Sequence, residues 1–358
     1  MSLLFYNLND DMKSLAKLIF EKHFELDPKL NTEYDDRRKM LMYEDILYSL
    51  GFLDTSIKFS DDKIFVDFTV WIYQLMCNLM KDLSRERLKD QMVLHLTIMR
   101  TVYLEHFSEK GDSITSLIDI AIKAVKEQSD SFEDNKKIET GKFIDIKKDY
   151  LECLLKNDTK GAVELIGNIA KSGIDLIDIY INIIQEVMYE VGNLWHRNLI
   201  TVDKEHYCTA TTQVVLSQFY PVIFSSPRNG LKLLSCCVGS ELHEMGIRML
   251  SDLFEYNGWD SIYLGAAVPK QAILSSIREN MPELVALSVT MPQHLSLCLD
   301  IVTSIKEKYP AMKVAVGGRA FKSTTRLWDK WNIDVYTENA DQLIEWANQN
   351  IVKAKEVF

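Results

Sequence analysis

The chain has 358 residues, of which 47% are hydrophobic and 26% charged, a composition typical of a globular protein with two or three domains. Its formal charge of −11 and pI of about 5.2, without a long basic patch, disfavour direct binding to nucleic acid. The start lacks the pattern of a secretory signal, no uncharged apolar run is long enough to span a membrane, and the six cysteines are irregularly spaced. We therefore expect a cytoplasmic protein without membrane association.

Residues 1–125 are predicted to form an all-helical domain. Apolar residues recur at helical spacing in the segments that begin DMKSLAKLIF and ERLKDQMVLH. Between them, the stretch YSLGFLDTSIKFSDDKIFVDF carries turn signals, which predict a short helix or a hairpin. His95 and His106 are eleven residues apart, so they are expected on one face of the same helix.

Residues 126–141 are polar and charged, which predicts a linker. Residues 142–228 resume helical periodicity, with four amphipathic segments separated by short breaks. Asp158–Thr159 is a predicted helix start, and Gly173 is a predicted helix stop. Four such helices with short loops predict a small four-helix bundle.

Residues 229–358 differ from the rest, because short apolar runs alternate with helical segments. This alternation predicts a doubly wound, flavodoxin-like parallel sheet of five strands with helices on both faces. Cys236 and Cys237 lie in the first apolar run and are expected to be buried strand residues. The predicted fold class is therefore a multidomain α and α/β protein.

The loop after the first strand carries the first candidate site. A doubly wound sheet binds its ligand beyond the carboxyl ends of the strands, where the strand order reverses, and His243 would project there. Glu241 is placed to accept a hydrogen bond from the second ring nitrogen, which orients an imidazole that ligates a metal. Gly246 allows the next helix to begin close to a bulky ligand. A lone loop histidine is more often a solvated side chain or a cap.

Two further strand ends add to this candidate site. Ser288 and Thr290 end the third strand and place hydroxyl groups beside the same crevice. Gly317 and Gly318 end the fourth strand, where paired glycines allow close approach of a backbone or a ligand, or simply form a tight turn.

A second candidate site lies at the end of the helical bundle. Trp195-His196 is followed by Glu205-His206, ten residues after the tryptophan. An indole offers a large flat apolar surface, a carboxylate accepts hydrogen bonds, and a neutral imidazole ligates metals. The alternative is a core tryptophan at a helix end with solvated polar neighbours.

The strand-end residues resemble the cobalamin-binding domain of methionine synthase and its relatives, whose pattern is usually Asp-x-His-x-x-Gly, then Ser-x-Leu, then Gly-Gly. The matching residues here are Glu241, His243, Gly246, Ser288, Thr290, Gly317 and Gly318. Glu replaces Asp at 241, and Thr replaces Leu at 290. The resemblance covers residues 142–358 and implies that His243 is the lower axial ligand of cobalt. It also implies that the nucleotide tail of cobalamin threads past Ser288 and the glycines.

The predicted bundle resembles the cap of this family, with residues 229–358 as the cobalamin-binding domain. The spacing of Trp195 and Glu205-His206 is similar to the signature of light-sensing adenosylcobalamin regulators of the CarH type. The resemblance implies that Trp195 packs over the adenosyl group, while Glu205 and His206 help to hold it. It also implies that His196 occupies the upper cobalt position once light has cleaved the Co–C bond.

The predicted function is a non-enzymatic adenosylcobalamin light sensor, a homo-oligomer with light-dependent assembly that acts on an unidentified signalling partner. The alternative is a corrinoid shuttle protein of a methyltransferase system. Residues 1–125 show no short basic helix-turn-helix, so a direct DNA-binding role is disfavoured. They are interpreted as a sensor or interaction domain, either a dimerisation or signalling bundle or a pocket for a bilin such as biliverdin.

Overall fold

The computed structural model describes residues 10–106, 111–129 and 137–352. They divide into two compact units, the first comprising 10–129 with 291–296 and 320–329, and the second comprising the remainder. The predicted linker falls partly on residues 130–136, and the predicted last helix extends past 352, so both lie partly outside the described residues. No helix of the described ranges combines the length and apolar content needed to cross a membrane.

Helices make up the first unit. They are α1 (Asp10–Leu26), α2 (Leu30–Glu33), α3 (Asp36–Phe59), α4 (Asp62–Leu79), α5 (Arg85–His106) and α6 (Gly111–Lys126). The hairpin considered for the stretch from Tyr48 is wrong, because α3 continues through Gly51 as far as Phe59. Ser60 then ends the helix in the left-handed conformation, with φ of 50°. Burial of Leu50 and Leu53 offsets the weak helix propensity of a central glycine.

A pair of histidines lies inside the first unit. His23 Nε2 is 3.0 Å from His95 Nδ1, and the two rings stack with their centroids 5.2 Å apart. The second nitrogen of His95 is 3.3 Å from Ser49 Oγ. Burial lowers the pKa of His23 to about 4 and that of His95 to about 3, so both imidazoles are neutral at physiological pH.

The second unit begins with a helical bundle. Its helices are α7 (Ile144–Leu155), α8 (Thr159–Lys171), α9 (Leu176–Asp178), α10 (Glu186–His196), α11 (Val202–Ser217) and the short α12 (Tyr220–Ile223). A π-helical segment, Ile179–Gln185, joins α9 to α10, so one continuous helix runs from 176 to 196. The predicted start of α8 is confirmed, because Asp158 accepts a hydrogen bond from the backbone N–H of Gly161 at 2.8 Å.

The rest of the second unit contains the predicted parallel sheet, which is confirmed. Its strands are β1 (Lys232–Cys237), β2 (Asp260–Tyr263), β3 (Leu284–Ser288), β4 (Lys313–Gly317) and β5 (Val335–Tyr336), in the order β2-β1-β3-β4-β5. The helices between and after the strands are α13 (Met245–Tyr256), α14 (Lys270–Asn280), α15 (Leu295–Lys308) and α16 (Ala340–Ala347). The first two residues of α15 are grouped with the first unit. Cys236 and Cys237 are buried strand residues, as expected.

A single hydrophobic core joins the bundle to the sheet. It includes Tyr150 and Ile183 of the bundle together with Leu233 of β1 and Phe254 of α13. Since apolar burial is the main favourable term in folding, bundle and sheet stabilise one another as parts of one unit. This shared core fixes the position of the bundle on the sheet domain.

Candidate functional site

The strand order places the candidate site at one edge of the sheet. The order reverses between β1 and β3, so their carboxyl ends flank the crevice in which such sheets bind ligands. Cys237 of β1 is paired with Ser288 of β3, which is paired with Gly317 of β4. The loop of His243 and the ends of β3 and β4 therefore meet at the same edge.

Glu241 is a fully buried carboxylate with partners on two sides. Its Oε1 accepts a hydrogen bond from the backbone N–H of Thr290 at 2.8 Å. Its Oε2 lies 3.5 Å from Nδ1 of His243. A buried carboxylate beside Nδ1 favours the tautomer with its proton on that nitrogen, which leaves Nε2 as the nitrogen that can ligate a metal.

His243 itself projects outward on an anchored loop, with 57% of its side chain exposed. The Cys237 thiol donates a hydrogen bond to the backbone oxygen of His243 at 3.3 Å. Burial, with the nearby charge of Glu241, raises the pKa of the Cys237 thiol well above its usual range, so the thiol keeps its proton and remains a donor. An accessible imidazole is thus presented from a fixed backbone.

The predicted glycines differ in their surroundings. A Cβ on Gly318 would lie 2.4 Å from the backbone oxygen of Val289, and the φ of Gly318 is +99°. A Cβ on Gly317 would lie 3.0 Å from the backbone oxygen of Thr337. Both glycines therefore allow a neighbouring backbone to approach. Gly246 is different, because a Cβ there would meet no atom within 4 Å.

The second group of predicted residues lies at one end of the bundle. Trp195 and His196 occupy the last turn of α10, whereas Glu205 and His206 lie near the start of α11. Glu205 Oε2 is 2.6 Å from His206 Nδ1, and Glu205 Oε1 accepts a hydrogen bond from the Thr209 hydroxyl at 2.8 Å. The spacing of ten residues thus corresponds to a helix end, a short loop and a helix start.

Three exposed apolar side chains near these groups escaped the sequence analysis. Leu242, next to His243 in the chain, is 69% exposed. Leu199 and Val202 lie between His196 and Glu205 in the chain and are 56% and 55% exposed. Leu199 and Leu242 lie in loops and Val202 is the first residue of α11. Large apolar residues in loops or at an exposed helix start, where polar residues are expected, are the signal that could have identified them. Exposed apolar groups beside an accessible imidazole suit contact with a large, partly apolar ligand.

The helical bundle shares its core with a doubly wound sheet, and the imidazole of His243 lies at the switch point of that sheet. This arrangement is typical of a ligand-binding protein of the α/β class. Two family models, both described as a B12 binding domain, match residues 146–219 and 231–344, which together make up about half of the chain. These residues belong to the B12-binding domain family, and the chain is a cobalamin-binding protein.

Relatives fall into two functional groups. The chain is similar to the HTH-type transcriptional repressor CarA of Myxococcus xanthus, with 26% identity over 154 residues that cover 42% of this chain and 51% of that protein. It is also similar to dimethylamine corrinoid protein 1 of Methanosarcina acetivorans, with 25% identity over 188 residues that cover 50% of this chain and 85% of that protein. The chain thus spans about half the length of CarA and most of the corrinoid protein.

One solved structure supports the fold. The monomethylamine corrinoid protein of Methanosarcina barkeri superposes with a TM-score of 0.51 at 16% identity, covering 57% of this chain and 98% of that one.

The residues at the sheet edge fit a cobalt corrin. Imidazole is a suitable nitrogen ligand for a first-row transition metal, and a hydrogen-bonded carboxylate on its other nitrogen increases its basicity. His243 and Glu241 supply this pair, 3.5 Å apart. The open space at Gly246 and the exposed side chain of Leu242 leave room and apolar surface for a macrocycle beside the imidazole.

Proposed function

We propose that the chain is an adenosylcobalamin-dependent light sensor in which His243 is the lower axial ligand of cobalt. The observation that carries the proposal is the exposed imidazole of His243, with the buried Glu241 beside its Nδ1, at the switch point of the sheet. Adenosylcobalamin, when bound, supplies a Co–C bond that light cleaves. The protein contributes binding, orientation and a response, and needs no turnover of its own.

The two departures from the family pattern are compatible with this role. Thr290 contacts Glu241 through its backbone N–H, which a leucine would supply equally well. Glu241 is longer than an aspartate by one methylene, yet its two oxygens reach Thr290 and the ring of His243. We assign Ser288, Gly317 and Gly318 to the path of the nucleotide tail, because Ser288 ends β3, which flanks the crevice, and Gly317 is paired with Ser288 at the end of β4.

The end of the bundle is proposed as the upper face of the site. Trp195 would cover the adenosyl group, and Glu205 with His206 would hold it. Both oxygens of Glu205 already have partners in His206 and Thr209, so binding a ribose hydroxyl would exchange one of these hydrogen bonds. His196, on the same turn as Trp195, is proposed to occupy the upper cobalt position after photolysis.

The response to light is proposed to be a change in the conformation of the cap and in the assembly of a homo-oligomer. A signalling partner would recognise this change. The first unit is assigned to this output. Its interior aromatic rings are packed on one another, since Phe52 and Phe68 stack with centroids 3.9 Å apart. This packing favours a signalling or dimerisation bundle over a bilin pocket, and reconstitution with biliverdin tests the second interpretation.

The test compares wild type, His243→Ala and His106→Ala after reconstitution with adenosylcobalamin in the dark. His106 is an exposed histidine of the first unit, so its variant controls for the loss of one imidazole. Wild type and His106→Ala should show imidazole coordination, which His243→Ala should lack. Green light should then change the absorption spectrum and the size-exclusion profile of wild type. Unchanged coordination in His243→Ala, or no response of wild type to light, would contradict the proposal.

A second candidate function is a corrinoid carrier of a methyltransferase system. It is supported by the similarity to dimethylamine corrinoid protein 1, of which the match covers 85%. A carrier needs no adenosyl-covering tryptophan, so Trp195→Ala should then bind methylcobalamin as wild type does. In a light sensor the same substitution should weaken binding of adenosylcobalamin far more than binding of methylcobalamin. Transfer of the methyl group from bound methylcobalamin to an added thiol would favour the carrier.

A further inference from the structure

A stripe of charged residues begins immediately after His243. Glu244 directly precedes α13, and Arg248 and Asp252 follow at intervals of four residues within it. Residues four apart lie on the same face of a helix, so the three side chains form one row. Asp252 is only 8% exposed, and the side chains of Glu244 and Arg248 are half-buried.

Each member of the row is hydrogen-bonded to a tyrosine. Tyr263 of β2 donates to Glu244 at 3.0 Å, and Tyr180 of the bundle donates to Asp252 at 3.2 Å. Between them, Nη2 of Arg248 donates to the hydroxyl of Tyr220 at 2.8 Å. The tyrosine–charge ladder is defined by these residues, Glu244, Arg248, Asp252, Tyr180, Tyr220 and Tyr263.

The chemistry of the ladder favours fixed geometry. Burial raises the pKa of Tyr180 and of Tyr263 well above the usual range, so both hydroxyls keep their protons and remain donors. Buried charged groups are a weak source of stability, since well-packed apolar residues often stabilise as much or more. Hydrogen bonds are directional, however. Those of Tyr180 and Tyr220 fix the rotation and axial position of α13 against the bundle, and that of Tyr263 holds the residue before α13 against β2.

One end of the ladder adjoins the candidate cofactor site, and the other lies on the helix that carries the upper-face residues. Glu244 is the neighbour of His243 in the chain. Tyr180 is the second residue of the π-helical segment, in the continuous helix that ends at Trp195 and His196. Single π-helical turns inside α-helices are rare, and those that occur often lie at functional sites. The ladder therefore links the helix of the upper-face residues to the loop of the lower-face imidazole.

We propose that the tyrosine–charge ladder sets the position of the His243 loop against the bundle, which makes the axial coordination of cobalamin sensitive to the state of the cap. Its members are positioning residues, since they act through the loop and through α13. The inference rests on the proposed function in taking His243 as the cobalt ligand and the bundle as a cap that changes state.

The variants are Tyr180→Phe, Tyr220→Phe and Tyr263→Phe, each of which removes one hydroxyl and keeps the ring. Tyr256→Phe is the matched control, because Tyr256 lies on α13, is partly buried against the same core, and makes none of the ladder's hydrogen bonds. If Tyr180→Phe does not fold, Tyr220→Phe carries the test of the contact between bundle and α13.

The first measurement uses the full chain without cobalamin. Hydrogen–deuterium exchange of residues 238–246 should become faster by roughly three- to tenfold in the ladder variants, as expected for the loss of one hydrogen bond. The control should exchange like wild type. Equal exchange in the ladder variants and the control would overturn the proposal, even if the ladder variants melt at a lower temperature.

The second measurement uses the chain reconstituted with adenosylcobalamin. Anaerobic photolysis leaves the cobalt as Co(II). In a His196→Ala background, which removes the other proposed imidazole, electron paramagnetic resonance then reports the fraction of cobalt that is bound to the imidazole of His243. This fraction should fall in the ladder variants and stay at the wild-type value in Tyr256→Phe. If it stays constant while exchange becomes faster, the coupling to coordination is wrong. If wild type and His243→Ala give the same signal, the proposed function fails, whereas faster exchange still supports positioning of the loop by the ladder.

Discussion

The buried carboxylate of Glu241 accepts a hydrogen bond from the backbone N–H of Thr290 at 2.8 Å, which connects the loop after β1 to the end of β3. The same carboxylate lies 3.5 Å from Nδ1 of His243 through its other oxygen. One side chain therefore holds together the two strand ends at the switch point and orients the imidazole. These two tasks are separable by substitution.

Glu241→Gln should weaken cobalamin binding more than it weakens the fold. The amide oxygen can still accept a hydrogen bond from the backbone N–H of Thr290, but the amide NH2 is a donor and cannot accept a hydrogen bond from His243 Nδ1–H. Loss of an outer partner of a metal ligand lowers affinity by roughly 10- to 100-fold, whereas the free energy of unfolding should fall by about 1 kcal/mol. Titration with adenosylcobalamin and urea unfolding measure the two effects, and wild-type affinity in Glu241→Gln would contradict this account.

Glu241→Asp is the companion variant, since it restores the residue usual in the family. The shorter side chain cannot reach both Thr290 and His243 from an unchanged backbone, because their contacts lie on opposite oxygens. We expect it to bind cobalamin more tightly than Glu241→Gln and to be less stable than wild type. Tighter binding than wild type would show that the extra methylene is a disadvantage at this site.

The sequence was a good guide wherever contacts are local or repeat along the chain. Apolar runs identified β1, β3 and β4, whereas β2 and β5 are shorter and less apolar. A separation of two residues at a strand end was enough to bring Glu241 toward His243. It was a poor guide to tertiary partners. Nothing near Tyr180 indicates that it bonds to Asp252, 72 residues away, and the π-helical segment has the apolar residues of an ordinary helix. The turn signals around Gly51 misled because burial overrides local propensity.

Asp252 should make stability depend on pH. Burial raises its pKa from 3.8 to about 6; Glu255 adds to the rise, while the hydrogen bond from Tyr180 and the charge of Arg248 oppose it. The folded state therefore holds the proton more tightly than the unfolded state. This contribution to stability is fully present below pH 4 and is lost as the pH rises through 6.

Asp252→Asn removes that dependence, because an amide cannot titrate. The difference in unfolding free energy between Asp252→Asn and wild type should shift in favour of the variant between pH 4 and pH 7, by at most about 3 kcal/mol. Urea unfolding of both proteins at several pH values measures this difference. The contributions of the other titrating groups are the same in both proteins and cancel in the difference. A difference that is constant across the range would show that Asp252 does not titrate there.

The stacked histidines His23 and His95 should have the opposite effect. The pKa values of His23 and His95, about 4 and about 3, lie below the ordinary value of 6.5, so the unfolded state binds protons first as the pH falls. Stability is therefore fully present above pH 6.5 and is lost on acidification, by about 2 kcal/mol per imidazole at pH 5. Hydrogen exchange of α5 at pH 7.5 and pH 5 should show this loss in wild type.

His95→Asn is the variant for that test, with His106→Asn as its control. The first should reduce the acid sensitivity of α5, because the asparagine side chain carries no titrating proton, whereas the second should leave it unchanged. Acid sensitivity that is equal in all three proteins would exclude the histidine pair as its source.

Gly318 and Gly246 should respond differently to an added methyl group. In Gly318→Ala the new Cβ would lie 2.4 Å from the backbone oxygen of Val289 at a φ of +99°, so the free energy of unfolding should fall by about 2–5 kcal/mol. In Gly246→Ala it meets open space, and stability should stay within about 1 kcal/mol of wild type.

Gly246→Leu extends the same comparison to the ligand. Gly246 is exposed and a Cβ there meets no atom within 4 Å, so we expect the variant to fold. If cobalamin packs against the start of α13, the added volume should weaken its binding by roughly tenfold or more. Thermal unfolding without cobalamin and titration with adenosylcobalamin separate the two effects. Undiminished affinity in Gly246→Leu would mean that this glycine does not line the cofactor site, and the contact surface would then have to be sought around Leu242 and His243 alone.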